Sequence, residues 1–438
     1  MTWKELLPNN KTALTQVFSS LRSYNYRLYF TGQCISMIGN WMQQVAMSWL
    51  VYRLTGSVWL LGAVAFTNQI PSFLISPFAG VLTDRFDRRR IMVLTQSLCM
   101  VEALLLATLV LTGLIQVWHI IACSLFVGVV NAFDGPTRQS MVVEMVDHKE
   151  DLSNAIALNS AVFNAARLIG PSVAGILIAL IGEGYCFLLN GLSYIAVIGA
   201  LLLMRMPKHK KIRKQEKIFA GFIDGFKYSY HFFPIRVLLM LVALLSLTGL
   251  PFIVLVPAFT RDVLGGDSHT LGFFMSFIGA GALAAAIYLA ARKSVLGLGK
   301  VVSIMGVVFG LGLVCVSFLR IHWMVYLMLI PTGFAMIATL ASINTLLQTL
   351  TDNDKRGRVM GFYTMALMGV APFGSLLYGA VADWIGVPYT MMGGGIICVL
   401  GALYFEKWRP VVRRFSRRVY VQKGIIPEIA QGINYRNF

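Results

Sequence analysis

Apolar runs of eighteen or more residues recur along the chain, separated by short polar or basic stretches. Reading them with helix start and stop signals places spans near 28–52, 57–82, 91–113, 117–137, 154–181, 184–205, 236–258, 271–291, 300–319, 323–346, 358–382 and 388–405. Each is long enough to cross a hydrocarbon layer of roughly 30 Å as a helix. The alternating ten-residue segments of a membrane barrel are absent from the pattern. The expected fold is therefore an all-α integral membrane protein with twelve transmembrane helices. The first run is too long for a signal-peptide core and no small-x-small site follows it, so no removed leader is expected.

Composition agrees with that solvent. Of 438 residues, 57% are hydrophobic and 13% charged, more apolar surface than a soluble globule could hide. The net charge of +18 is unevenly distributed. With both termini cytoplasmic, only Arg53, Arg261 and Arg320 among the Lys and Arg fall on the far side, and Arg167 is stranded within a span. The runs 208-KHKKIRKQEK-217 and 413-RRFSRR-418 adjoin helix ends, where anionic lipid headgroups attract them, so the basic balance implies membrane lipids as partners and no nucleic acid. Cys34, Cys99, Cys123, Cys186, Cys315 and Cys398 all fall in spans without a C-x-x-C pair and read as small packing residues. Neither metal nor cofactor is expected, since no H-E-x-x-H cluster and no P-loop occurs. No nucleophile with a base stands at persuasive spacing, which argues against an enzyme.

The second half repeats the first at an offset of 204 residues, pairing Gly170 with Gly374, Gly175 with Gly379, Gly182 with Gly386, Tyr185 with Tyr389 and Gly191 with Gly395. The same offset lays Arg88 and Arg89 on Arg292 and Lys293. Two six-helix bundles related by an axis along the membrane normal are expected. The domain expectation is a cytoplasmic segment 1–27, a bundle 28–205, a basic linker 206–235, a bundle 236–405 and a basic tail 406–438. Within the linker Phe219, Phe222, Phe226 and Tyr230 recur at helical spacing, as in a helix lying on a membrane face.

The stretch 80-GVLTDRFDRRR-90 stands out, because six of the seven residues 84–90 are ionisable. Its arginines alone would satisfy orientation in the membrane, whereas Asp84 and Asp87 add nothing to that rule. Gly80, Asp84, Arg85, Arg88 and Arg89 resemble the G-x-x-x-D-[RK]-x-G-[RK]-[RK] loop of the major facilitator superfamily, with Asp87 where the family has Gly. On the fifth span, 166-ARLIGPSVAG-175 is similar to the G-P-x-x-G-G signature of exporter branches, with Ala174 replacing one Gly. With 25-NYRLYFTGQCISMIGNWMQQVAMSWLVYRLTGS-57 and 131-NAFDGPTRQSMVVEMV-146, the chain resembles the enterobactin-exporter-like (transmembrane secretion effector) branch. The resemblance implies a conformational gate at Gly80, Asp84, Arg85, Arg88, Arg89 and Arg90, and an interface motif at Gly170, Pro171 and Gly175. It also implies a bacterial cytoplasmic membrane, a monomer, and alternating access to a central site.

Ionisable groups inside spans point to chemistry, because charge in hydrocarbon is costly unless paired or hydrated. Arg167 lies about thirteen residues into the fifth span, roughly 20 Å deep, and Glu102 reaches a similar depth on the third. Asp134 lies late in the fourth, before Gly135, Pro136 and then Arg138. An acid near a fixed guanidinium suits proton coupling; residue spacing leaves the partner of Arg167 open, and the superfamily's cavity-lining helices favour Asp134 over Glu102. Many proton-coupled exporters of the superfamily carry an Arg early in the fourth helix, and here none precedes Arg138. Polar faces at Asn40, Gln44 and Trp41 and at Asn164, with Phe252 and Phe334 in the second half, read as a substrate cavity for an amphipathic organic molecule. The expected function is proton-coupled export of such a small molecule. Its rivals are an importer, a lipid flippase, a passive facilitator and, from another class, a membrane sensor or scaffold.

Overall fold

The computed structural model describes residues 18–83, 86–205, 218–292, 294–352, 355–423 and 426. Asp84, Arg85 and Lys293, the basic run 208–217 and the end of the tail lie outside the described residues. The chain folds into α1 (Tyr24–Thr55), α2 (Val58–Thr83), α3 (Arg88–Leu111), α4 (Val117–Met145), α5 (Leu152–Ile181) and α6 (Glu183–Leu203). There follow a connecting helix α7 (Ile218–His231), then α8 (Phe233–Val263), α9 (Ser268–Ala291), α10 (Leu298–Phe318), α11 (His322–Leu350), α12 (Arg356–Ile385) and α13 (Val387–Gln422). Eleven helices among the described residues are long and apolar enough to cross a membrane. α1 is the twelfth by length, at 32 residues, but Gln33, Asn40, Gln43 and Gln44 lower its apolar content.

Several helices outrun the apolar runs that announced them. α4 continues past Pro136 to Met145, and α13 continues through the basic stretch to Gln422. The apolar pattern marks the part of a helix that suits hydrocarbon, whereas Arg, Lys, Glu and Gln are good helix formers and carry the hydrogen-bond ladder onward. For the same reason Arg88, Arg89 and Arg90 form the first turn of α3 rather than a loop before it.

The chain divides into two compact units, Met1–Arg213 with Thr260–Gly279, and Lys214–Phe259 with Ala280–Phe438. In the first, α1 packs on α5 and α6, α3 on α4 and α6, and α2 on α4. In the second, α10 packs on α11 and α13, and α13 on the first part of α8. These are the same pairings displaced by one six-helix repeat. The 204-residue offset also holds in backbone detail: Gly182 and Gly386 both stand at φ 90° between consecutive helices, a conformation that a side chain would strain. Gly170 faces α1 and Gly374 faces the matching α8, while Gly191 faces α3 and Gly395 faces the matching α10. At one end of the first unit Tyr26, Tyr29, Met92, Met141, Met145, Val197 and Leu201 form a core. There the Tyr26 hydroxyl donates to Ala155 O at 2.8 Å, which satisfies it where no water reaches.

Candidate functional site

The charged stretch resolves into separate local roles. Asp87, unlike the family's Gly, is the N-cap of α3: its carboxylate accepts from Arg89 N at 2.9 Å and Arg90 N at 3.3 Å. That satisfies backbone donors which a helix start leaves unpaired. Arg88 pairs with Glu144 in the last turn of α4, a partner that no motif announced. Arg89 donates to Leu201 O at 2.6 Å and Leu202 O at 2.5 Å, placing a cation at the carbonyl end of α6. Arg90 is exposed, with Asp87 at 3.8 Å. Gly80 lies in the last turn of α2.

Deeper in the same unit, Asp134 is fully engaged. It accepts from Thr95 Oγ1 at 2.9 Å and Gln96 Nε2 at 2.8 Å on α3, and from Arg138 Nε and Nη2 at 3.1 and 2.6 Å one turn along α4. Arg138 Nη1 also donates to Gln33 Oε1 at 2.9 Å. The structure thus pairs Asp134 with Arg138 and not with Arg167, because residues i and i+4 share a helix face.

Arg167 pairs with no carboxylate among the described residues; its guanidinium lies over the Trp41 ring at 5.8 Å. A guanidinium at the centre of a spanning helix costs about 3 kcal/mol, and a cation–π contact returns about 1 kcal/mol. Part of the cost therefore has no counterpart in this unit. Gly170 fixes the arrangement, since a Cβ there would sit 2.6 Å from Trp41 Cβ and 3.1 Å from Ile38 O. The missing side chain lets α1 approach closely enough to bring Trp41 beneath Arg167.

Glu102 is also without a cation among the described residues. Buried at 4% exposure, it accepts from Gln43 Nε2 at 2.9 Å. Gln43 Oε1 in turn accepts from Asn190 Nδ2 at 2.6 Å, and Asn40 Oδ1 accepts from Tyr194 OH at 2.6 Å. Asn40 therefore belongs to an interhelical network joining α1, α3 and α6. Its expected place in the cavity lining is corrected, because the amide is drawn to the partners on α6.

A cavity of about 340 Å³ opens between α1, α4 and α5, lined by Tyr29, Gln33, Arg138, Asn159, Phe163 and Asn164 among others. Its volume suits a small organic molecule. Of the expected lining residues Asn164 is present, and Trp41 stands one turn further along α1, edge-on to Phe163 with centroids 5.7 Å apart. Gln44 is exposed on α1 away from this lining. Phe252 is corrected: it is fully buried against Phe309 in the second unit's core, because an aromatic ring beside Pro251 fills interior volume. Phe334 packs against Tyr288 at 5.8 Å. Gln33 shares a helical face with Asn40 and Gln44, seven and eleven residues on, whereas Tyr29 and Asn159 carried no signal beyond their polarity. Arg138 enters the lining together with its partner Gln33.

The interface motif on α5 meets the first half of α9. A Cβ on Gly175 would lie 2.6 Å from Ser268 O, and one on Gly272 would lie 2.6 Å from Pro171 O. Ser172 and Ser276 hydroxyls are 2.5 Å apart, and Ser276 Oγ donates to Leu168 O at 2.8 Å. Small residues permit this close helix contact. Just before α9, outside the span, burial tends to raise the Asp267 carboxyl, but bonds from Thr270 N at 3.1 Å and Thr270 Oγ1 at 3.2 Å outweigh it and hold the group below the usual carboxylate range.

Residues 15–417 match the family described as transmembrane secretion effector. The staphyloferrin A transporter of Staphylococcus aureus is 26% identical over 390 residues, covering 86% of this chain and 95% of that protein. The multidrug efflux pump Tap of Mycolicibacterium fortuitum is 24% identical over 366 residues, covering 81% and 88%. Among solved structures, a bacterial homologue of the human lysosomal transporter Spinster superposes with a TM-score of 0.71 at 12% identity, covering 91% of this chain and 98% of that one. A bacterial homologue of the iron transporter ferroportin gives 0.67 at 16% identity, covering 88% and 98%. At these identities the two structures speak to the fold alone.

Proposed function

The chain belongs to the transmembrane secretion effector family of major facilitator transporters, and from that premise we propose that it exports an amphipathic organic molecule by alternating access, driven by protons. As a member of this family it is a multi-pass membrane transporter and not an enzyme. The observation that carries the export reading is the polar and aromatic cavity of the first unit, set in helices otherwise fit for hydrocarbon. The relatives described as a staphyloferrin A transporter and a multidrug efflux pump support an organic cargo. Alternation comes from movement of the two six-helix halves, expected at 28–205 and 236–405, with the segment 206–235 as tether. The termini face the cytoplasm of a bacterial cell, as the Lys and Arg asymmetry favours. The protein works as a monomer among anionic lipids.

For coupling, Glu102 and Asp134 divide by charge balance. Asp134 is neutralised by Arg138, so a proton arriving there would strand a buried cation. Glu102 has only the neutral Gln43 as a direct donor, and its titratable neighbours Cys99, Cys123 and Tyr194 are not cationic. A proton on Glu102 therefore removes an uncompensated charge, which makes it the coupling acid. Arg88 and Arg89 brace α4 and α6 at one end, and Asp84 and Arg85 complete the gate.

Flux in proteoliposomes under an imposed pH gradient tests this reading, with a set of fluorescent amphipaths as probes. Gradient-driven movement opposite to the proton flow supports antiport. Equal flux with and without the gradient identifies a facilitator, and movement with the protons identifies an importer; either result overturns the reading.

A further inference from the structure

We propose that Arg167, standing over Trp41 beside the cavity of the first unit, is the anchor for a carboxylate on the transported molecule, so that the cargo is an organic anion with an apolar or aromatic body. This deepens the exporter reading and rests on it.

The cavity holds two guanidiniums in its neighbourhood, and they are not equivalent. Arg138 gives Nε and Nη2 to Asp134 and Nη1 to Gln33, so its charge and most of its donors are already used. Arg167, one turn beyond the cavity residues Phe163 and Asn164 on α5, has no acidic partner among the described residues and only the face of Trp41 beneath it. A guanidinium offers planar paired donors that match a carboxylate, and they strengthen where water is scarce.

A second observation points the same way. Gln33 lines the cavity, is 4% exposed, and leaves its Nε2 donor without a partner. A buried amide donor of this kind costs free energy until an acceptor reaches it. The cavity lining contains no Asp or Glu. An unanswered cation, an unanswered donor and no competing acid together describe a receptor for an acceptor-rich, negatively charged group. The rings of Trp41, Phe163 and Tyr29 supply the surface for an apolar body. A lipid phosphate could offer similar acceptors, but Arg167 lies near mid-span, away from where headgroups reside; the position favours a molecule that enters the cavity.

The test uses full-length protein in phosphatidylcholine nanodiscs and two matched probes, 2-naphthylacetate and the neutral 2-naphthylacetamide, titrated by calorimetry. Wild type should bind the carboxylate at least tenfold more tightly than the amide. Arg167→Gln should equalise the two, with an unchanged melting temperature and elution profile as the sign of an intact fold, and Arg167→Lys should retain part of the preference. Gln33→Leu should weaken carboxylate binding severalfold. Equal binding of both probes by wild type, or a preference surviving Arg167→Gln, overturns the proposal. So does loss of the preference when phosphatidylglycerol is added to the nanodiscs, which assigns the site to a headgroup. Carboxylate preference without flux in proteoliposomes would refute the exporter reading while leaving the anion site in place.

Discussion

Asp134 and Arg138 face each other one turn apart on α4, whereas Arg167 on α5 and Glu102 on α3 lie in the same unit with no opposite charge beside them. Glu102 and Asp134 are 4% and 5% exposed and Arg167 lies midway along α5, positions where an unanswered charge is expensive. The paired region closes its account internally: the carboxylate accepts four bonds, and the guanidinium reaches on to Gln33. The unpaired region relies on a ring for Arg167 and an amide for Glu102, weaker partners that leave each group able to respond to something arriving. A buried ion pair is costly to break but does not itself signal chemistry. An unpaired buried charge held by the fold is the better mark of a site that meets a cargo or a proton.

The largest expected effect breaks the paired side. Arg138→Gln leaves Asp134 buried without a cation and should cost about 3–5 kcal/mol. Thermal unfolding of the purified protein should record that loss, and adding Asp134→Asn should recover most of it. If Arg138→Gln were as stable as wild type, the distinction between the two regions would collapse.

Next in size is the packing that sets up the unpaired side. Gly170→Val would drive a side chain into Trp41 and Ile38 O and should destabilise by about 1–3 kcal/mol, with weaker 2-naphthylacetate binding. Gly175→Leu should cost a similar amount through Ser268 O, and flux must be measured on the fraction that remains folded. A sharper contrast comes from Glu102→Gln. It keeps the shape and a link to Gln43, so stability should change by less than about 1 kcal/mol while the dependence of flux on a pH gradient disappears. Retained gradient dependence in that variant would return the coupling role to Asp134.

The smallest effect lies outside the span, where Asp267 carries a charge held by hydrogen bonds from Thr270 and by the neighbouring His269. Asp267→Ala should cost about 1 kcal/mol as a lost helix cap. Because its folded carboxyl is held low, the contribution is present above the unfolded value near 4 and is lost as pH falls through the folded value. Acid titration of the melting temperature in wild type and Asp267→Ala should converge at low pH. As a test of the proposed gate, Asp84→Asn should leave insertion intact while changing which introduced cysteines react from each side; unchanged reactivity would sink that proposal.

An all-helical membrane-spanning fold and the transporter family were readable in the apolar period and the loop and α5 motifs. Those features are local or strictly periodic, and hydrocarbon admits few alternatives to a helix. Even the fine grain of the repeat followed, since Gly182 and Gly386 adopt one conformation in one structural position. The partners of the buried charges were not readable in this way. Spacing put Arg167 and Glu102 at a common depth but said nothing of which helix faces would meet. Helix periodicity by itself puts Arg138 beside Asp134, whereas tertiary packing drew Asn40 into a network with Tyr194, sealed Phe252 into a core, and set Arg167 over Trp41. The membrane fixes what each span must be; the rotation of each helix about its own axis, set by small residues such as Gly170, decides which charges are answered within the protein and which are left to meet a cargo.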